Sequence, residues 1–193
     1  MKNICVFGAS SAKLDKEYLD CAFELGELLA KNGFGLVFGG GGSGLMGATA
    51  RGVHSQSGKI IGVIPEKLYR PGLPFAFCDE IIITKTMHER KAKMESLSDG
   101  FIALPGGYGT IEELMEILTL VQLGYHQAPV VILNHGGYFN NLIAQLHTCV
   151  AKNFTSGDFL RVFSTADTPA DALRLLVDYV PPELPDKIRE ALM

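Results

Sequence analysis

Leu104-Pro105-Gly106-Gly107-Tyr108-Gly109-Thr110-Ile111-Glu112-Glu113 is the stretch on which the reading of this chain turns. An apolar run, Gly100–Leu104, ends where it starts, and apolar residues at helical spacing (Leu114, Ile117, Leu118, Val121) begin where it ends. A buried strand therefore enters a glycine turn, and the turn enters a helix. Glycines in such a turn let backbone N–H groups come close to a ligand, because no Cβ stands in the way. A helix N-terminus adds unpaired N–H groups and a partial positive charge, which suit a phosphate. Two carboxylates, Glu112 and Glu113, follow in the expected first helical turn. Thr110 and Glu113 also fit a capping box, with Thr110 as N-cap and Glu113 as the third helical residue. A purely structural role for Glu113 therefore stands beside a chemical one.

Working outward, Ile4–Phe7, Gly35–Phe38, Lys59–Ile64, Glu80–Thr84, Gly100–Leu104 and Pro129–Leu133 read as strands, and Leu160–Phe163 as a last short one. Between them, helical patterns cover Tyr18–Leu29, a segment ending near Ser55, Met87–Ser98, Thr110 to about Leu123, Tyr138–Lys152 and Thr168–Tyr179. The strands are continuous apolar runs rather than alternating ones, so both sheet faces should be covered. Strands alternating with helices predict an α/β fold: a Rossmann-like, doubly wound parallel sheet flanked by helices, in a single domain over residues 1–180. Pro181-Pro182 opens a charged tail, 181–193. Ligands of such folds sit at the carboxyl ends of the strands, where both glycine turns fall. The Pro-containing connection 66–79 is long enough to lie over a site.

Composition narrows the classes of function. The chain has 193 residues and a formal net charge of -4, which argues against a general nucleic-acid binder. No apolar run approaches the roughly 20 residues of a membrane span. Met1–Gly8 is too soon interrupted for a signal peptide and reads as the first strand. Cys5, Cys21, Cys78 and Cys149 form no C-x-x-C pair and have no histidine cluster at zinc spacing. They read as reduced thiols of a cytoplasmic protein with no metal site.

The second glycine run, Gly39–Gly47, fits G-x-G-x-x-G in two registers. That fingerprint belongs on the first strand-to-helix turn, and Gly8-Ala9-Ser10-Ser11 lacks it, so NAD-dependent oxidoreduction is disfavoured. G-x-x-x-x-G-K-[ST] and H-E-x-x-H do not occur. Met87-His88-Glu89-Arg90-Lys91 follows the fourth strand and opens a helix on the same rim as residues 106–113. Cations there oppose the helix macrodipole, which favours a functional Arg90 that grips phosphate or a carboxylate.

These motifs together resemble the LOG ("Lonely guy") family of cytokinin riboside 5′-monophosphate phosphoribohydrolases. Pro105–Glu113 is similar to its P-G-G-x-G-T-x-x-E motif, Met87–Lys91 to its M-H-E-R-K segment, and Gly40–Gly47 to its G-G-G-x-x-G-L-M-G run. Gln122-Leu123-Gly124-Tyr125-His126 resembles its Q-L-G-x-H. The likeness runs from Cys5 to about residue 180. It implies hydrolysis of the N-glycosidic bond of AMP or an N6-modified adenine riboside 5′-monophosphate, without metal or organic cofactor, by a homodimer. It also implies that Arg90 and Glu113 are catalytic. Gly106, Gly107, Gly109 and Thr110 would bind the phosphate, with Met87, Lys91, Gly41 and Gly44 completing the substrate site. Related P-G-G-x-G-T proteins include molybdenum-cofactor carriers, so a non-catalytic carrier is the alternative. A carrier needs the glycine cradle but not the Arg–Glu pair.

Overall fold

The apolar runs that form strands are covered on both faces in the body of the sheet but not at the edge strand Glu80–Thr84, whose Ile81 and Ile83 stay exposed because, among the described residues, no strand or helix lies beyond them. The computed structural model describes residues 2–185; residues 186–193 of the predicted tail lie outside them. Seven strands, β1 (Asn3–Phe7), β2 (Gly35–Phe38), β3 (Ile60–Pro65), β4 (Glu80–Thr84), β5 (Gly100–Ala103), β6 (Val130–Leu133) and β7 (Ser164–Ala166), form one sheet in the order β4-β3-β2-β1-β5-β6-β7. Every neighbouring pair in the sheet is parallel. Among the described residues six α-helices flank it: α1 (Lys16–Lys31), α2 (Gly44–Ser55), α3 (Met87–Ser96), α4 (Tyr108–Gln122), α5 (Asn140–Ala151) and α6 (Pro169–Val177).

Alternate strand residues supply two separate cores. Ile4, Val6, Leu36, Phe38, Ile60, Ile102 and Leu104 face α1, α2 and α6. Cys5, Phe7, Val37, Ile61, Val63, Phe101 and Ala103 face α3, α4 and α5 on the other side. This is the two-sided burial that the continuous apolar runs predict. The chain builds outward from β1 to β4, and α3 then carries it back across the second face to β5, beside β1. The sheet order therefore switches between β1 and β5, where the topology opens a crevice at the carboxyl edge.

Three expectations are corrected. The apolar piece Leu160–Phe163 is not the last strand: Gly157–Val162 is a 3-10 turn, and the strand is Ser164–Ala166. Phe159 and Val162, three residues apart, fall on one side of that turn and both reach the second core. Second, α4 starts at Tyr108 with Gly107 as its N-cap, so Thr110 lies inside the helix and no capping box forms there. Third, Glu112 and Glu113 consequently sit in the second turn, not the first. The reciprocal cap is on α3 instead. The Thr86 hydroxyl accepts from Glu89 N (3.1 Å), and the Glu89 carboxylate accepts from Lys85 N (2.8 Å).

Candidate active site

A cavity of about 530 Å³ occupies the crevice between β1 and β5. The turn after β1 (Gly8, Ala9, Ser10) forms its floor together with Gly39, Gly41, Ser43 and Met46 of the second glycine run and α2. Ile64, Pro65, Leu68, Leu73 and Met87 form an apolar wall. Arg90 from α3 closes one side, and Gly107, Tyr108, Gly109, Thr110 and Glu113 from α4 close the other.

The connection 66–79 lies over the site as its length predicts. It is zipped to the glycine run by Gly42 N–H to Leu73 O (3.0 Å) and Phe75 N–H to Gly40 O (2.8 Å), around a Gly41–Pro74 bridge. The glycine run is tied in turn to the first turn. Leu45 N donates to Ala9 O (2.8 Å), and the Ser43 hydroxyl donates to Ser10 O (2.8 Å). Gly44 makes that approach possible: its φ is +61°, and a Cβ there would lie 2.3 Å from Ala9 O.

Arg90 and Glu113 meet at the bottom of the cavity, on the sheet face of the second core. Arg90 Nη1 donates to Glu113 Oε1 at 2.5 Å, and Arg90 Nε donates to Val63 O at 3.2 Å. The two residues are only 7% and 8% exposed. Gly39 makes room for the guanidinium, since a Cβ on it would stand 2.3 Å from Arg90 Nη2. The misfit of a cation at a helix start is thereby resolved: Arg90 turns inward to a carboxylate. Burial raises the Glu113 carboxyl above the ordinary glutamate range, and the adjacent Arg90 pulls it back only in part. Burial thus favours the neutral carboxyl, and the Arg90 guanidinium favours the carboxylate. Cys5, in the core beneath, is pushed well above a normal thiol by burial and by the Glu113 charge, so it stays protonated.

Beside this pair, Lys91 Nζ is bonded to the Glu112 carboxylate and lies 3.0 Å from Glu116. Successive residues of α3 therefore grip α4, which fixes the spacing of Arg90 and Glu113. At the other end of α4 the N–H groups of Gly107, Tyr108, Gly109 and Thr110 are the four that a helix start leaves over; the ladder begins with Ile111 N to Gly107 O (3.1 Å). A Cβ on Gly107 or Gly109 would meet nothing within 4 Å, so this end of the helix is open to the cavity.

Of the residues singled out in the sequence, Arg90, Glu113, Gly107, Gly109, Thr110, Met87 and Gly41 come together around the cavity. Gly106, Gly44 and Lys91 stand behind its wall. Gly39, Ser43 and Ser10, quoted only as members of their turns, and Leu68 and Leu73 line it without having been named as site residues. Leu68 and Leu73 lie in the connection already expected to cover a site; the role of Gly39 has no sequence signal, because it depends on where another helix places Arg90. Among the described residues no lysine lines the cavity, so the wall does not fit a Schiff-base cofactor.

Residues 46–176 match the family model described as "Possible lysine decarboxylase". The "Probable cytokinin riboside 5′-monophosphate phosphoribohydrolase LOGL5" of Oryza sativa subsp. japonica is 42% identical over 181 residues, covering 94% of this chain and 74% of that protein. The cytokinin riboside 5′-monophosphate phosphoribohydrolase LOG1 of Arabidopsis thaliana is 42% identical over 180 residues, covering 93% of this chain and 84% of that protein. Among solved structures, the molybdenum cofactor binding protein of Rippkaea orientalis shares the fold, with a TM-score of 0.70 and 24% identity, over 100% of this chain and 98% of that one. The motifs, the family model and identity spread over nearly the whole chain agree: the chain belongs to the LOG family of cytokinin riboside 5′-monophosphate phosphoribohydrolases.

Proposed function

We propose that this protein hydrolyses the N-glycosidic bond of adenine-type nucleoside 5′-monophosphates, AMP or its N6-substituted forms, to free base and ribose 5-phosphate. The observation that carries this reading is the buried Arg90–Glu113 pair, placed beside the open N-terminus of α4 in one cavity. The N–H groups of Gly107–Thr110 receive the phosphate, with the helix dipole adding to their pull. Phosphate binding fixes the ribose, so energy from a part of the substrate that does not react serves the part that does. The C1′–N bond breaks toward an oxocarbenium-like sugar, and the electron pair leaves with the base. Ionised Glu113 stabilises the positive charge at C1′ and takes a proton from the water that adds there. The departing base gains one proton, which balances the one that Glu113 takes from the water and gives up again on returning to its ionised form. Arg90 keeps Glu113 charged and oriented. The apolar wall of Leu68, Leu73 and Met87 faces the base end.

Met87, Gly41, Gly44, Gly106 and Lys91 complete the substrate site in this reading, the first two at the wall and the others from behind it. The exposed Ile81 and Ile83 of edge strand β4 support a homodimer. Light scattering on the purified protein tests that state. Four free cysteines and the net charge of -4 support a cytoplasmic protein that does not bind nucleic acid. Among the described residues no helix is long and apolar enough to cross a membrane.

The deciding experiment is incubation with AMP, isopentenyladenosine monophosphate, GMP and CMP, with chromatographic detection of free base. Release from the adenine-type nucleotides is expected. No release from any of them, with nucleotide binding retained, would overturn the hydrolase in favour of a carrier.

A further inference from the structure

The peptide that joins Gly106 to Gly107 is clamped from outside the cavity. Its carbonyl accepts from the Tyr138 hydroxyl at 2.8 Å, while the preceding carbonyl, Pro105 O, accepts from Ala9 N at 3.1 Å. In a trans peptide the C=O and the N–H point in opposite directions. With Gly106 O turned to Tyr138, the N–H of Gly107 is turned the other way, and Gly107 lines the cavity whereas Gly106 does not. Tyr138 itself is not part of the wall.

The Tyr138 side chain is half-exposed, and it is the backbone carrying it that is fixed. It follows the turn His135–Gly137, in which Gly136 and Gly137 both have positive φ (62° and 72°). Asn134 locks that turn: its N–H donates to Ala166 O (2.7 Å), its Oδ1 accepts from Phe139 N (2.7 Å), and its Nδ2 donates to Asn140 Oδ1 (2.8 Å). The Tyr138 ring stands edge-on to Tyr18 (6.3 Å) and to the buried Phe139 (5.1 Å). The hydroxyl is therefore delivered to Gly106 O from the turn after β6, a segment with no residue in the cavity lining.

We infer that Tyr138 is a positioning residue of the phosphate cradle, its hydroxyl fixing the 106–107 peptide so that the Gly107 N–H is aimed at the phosphate. The inference rests on the proposed hydrolase reading for its kinetic arm only. The test is Tyr138→Phe, which removes one oxygen and keeps the ring packing. One hydrogen bond of ordinary worth predicts a KM for AMP raised on the order of 3- to 10-fold, with kcat within about twofold. Inhibition by ribose 5-phosphate and by inorganic phosphate should weaken by the same factor, and inhibition by adenine should not change. In the 15N-labelled protein, phosphate should shift the Gly107 amide resonance in the wild type and shift it less in the variant. Unchanged KM, inhibition and amide shift in a folded variant would overturn the assignment, as would an equal loss of adenine inhibition, which would mark a general structural effect. Wild-type protein that binds phosphate but releases no base would sink the hydrolase reading and leave the amide measurement to decide Tyr138. Wild-type protein that binds no phosphate would overturn both.

Discussion

Replacing Arg90 by methionine leaves the Glu113 carboxylate buried without its cation. Among the described residues Arg90 supplies the hydrogen bond to that carboxylate, and Glu113 is 8% exposed, so water cannot take the guanidinium's place without opening the site. Breaking a buried ion pair from one side costs about 3–5 kcal/mol. For a chain of this size about 2–4 °C of melting temperature accompanies each kcal/mol, which predicts a Tm lower by about 6–20 °C at pH 8. Glu113 has a way to relax, which is to take up a proton. Burial already holds its carboxyl above the ordinary glutamate range, and losing Arg90 removes the main opposing pull. A group whose folded pKa exceeds its unfolded one stabilises the fold fully below the unfolded value and loses that stability as pH rises through the folded value. The Arg90→Met deficit should therefore be small near pH 5 and grow toward pH 8. Calorimetry across that range, on Arg90→Met, Glu113→Gln and the double variant, reads it directly. The double variant has no carboxylate at 113 to titrate, so the deficit of Arg90→Met measured against the double variant should carry the Glu113 titration, growing from pH 5 to pH 8. A single-variant deficit equally large at pH 5 and pH 8 would refute the view that Arg90 holds the Glu113 charge.

Glu113→Gln should keep the fold and lower kcat on the order of 10²- to 10⁴-fold, the usual worth of a positioned base; near-normal turnover in a release assay would remove Glu113 from the chemistry. In the wild type the acid limb of kcat/KM should lie above the range of a free glutamate, because Glu113 acts ionised and burial raises its pKa; a limb below pH 4.5 would contradict this. Gly39→Ala places a Cβ 2.3 Å from Arg90 Nη2 and 3.1 Å from Met46 Sδ, so it should displace the guanidinium and cost roughly 10²-fold in kcat, visible in steady-state rates. Gly107→Val puts its side chain into open space from a φ of -86°, so it should leave Tm unchanged while raising KM for the nucleotide; a fall in Tm with KM intact would mean that the cradle lies elsewhere.

Much of this was legible in the sequence because the signals concerned are local. Continuous apolar runs report two-sided burial, and the alternation of strand with helix reports the parallel sheet. The shared rim of Arg90 and residues 106–113 follows from both motifs trailing strands. What could not be read depends on contacts between elements distant in the chain. Gly39 is decisive because of where α3 places Arg90. Tyr138 reaches the cradle only because β6 lies beside β5. Lys91 carries the same motif as Arg90, yet one residue's rotation on α3 turns it to Glu112 and Glu116. The strand expected at Leu160–Phe163 fails for a similar reason: apolar residues that fill a core look alike in a strand and in a 3-10 turn.

The start of α4 matters most for the chemistry. Had Thr110 been the N-cap, Glu113 would have reached back to the helix's own first N–H groups, and phosphate and carboxylate would have competed for them. With Gly107 as N-cap, those N–H groups are left over, and Glu113 lies six residues on. At ~1.5 Å per residue that is ~9 Å along the axis from Gly107. Helical side chains lean toward the N-terminus, so the carboxylate comes back part of that distance while staying clear of the phosphate. One helix thus presents its positive end to one part of a ligand and a carboxylate to another, about a sugar's length away. The Pro-Gly-Gly turn is what brings the helix start forward to Tyr108, since neither Gly107 nor Gly109 has a side chain to fill the space the ligand needs. The same ten residues that read as a cap with an acid beside it are, three positions earlier, an open helix start with a buried carboxylate in its second turn, which is the arrangement the proposed hydrolase needs.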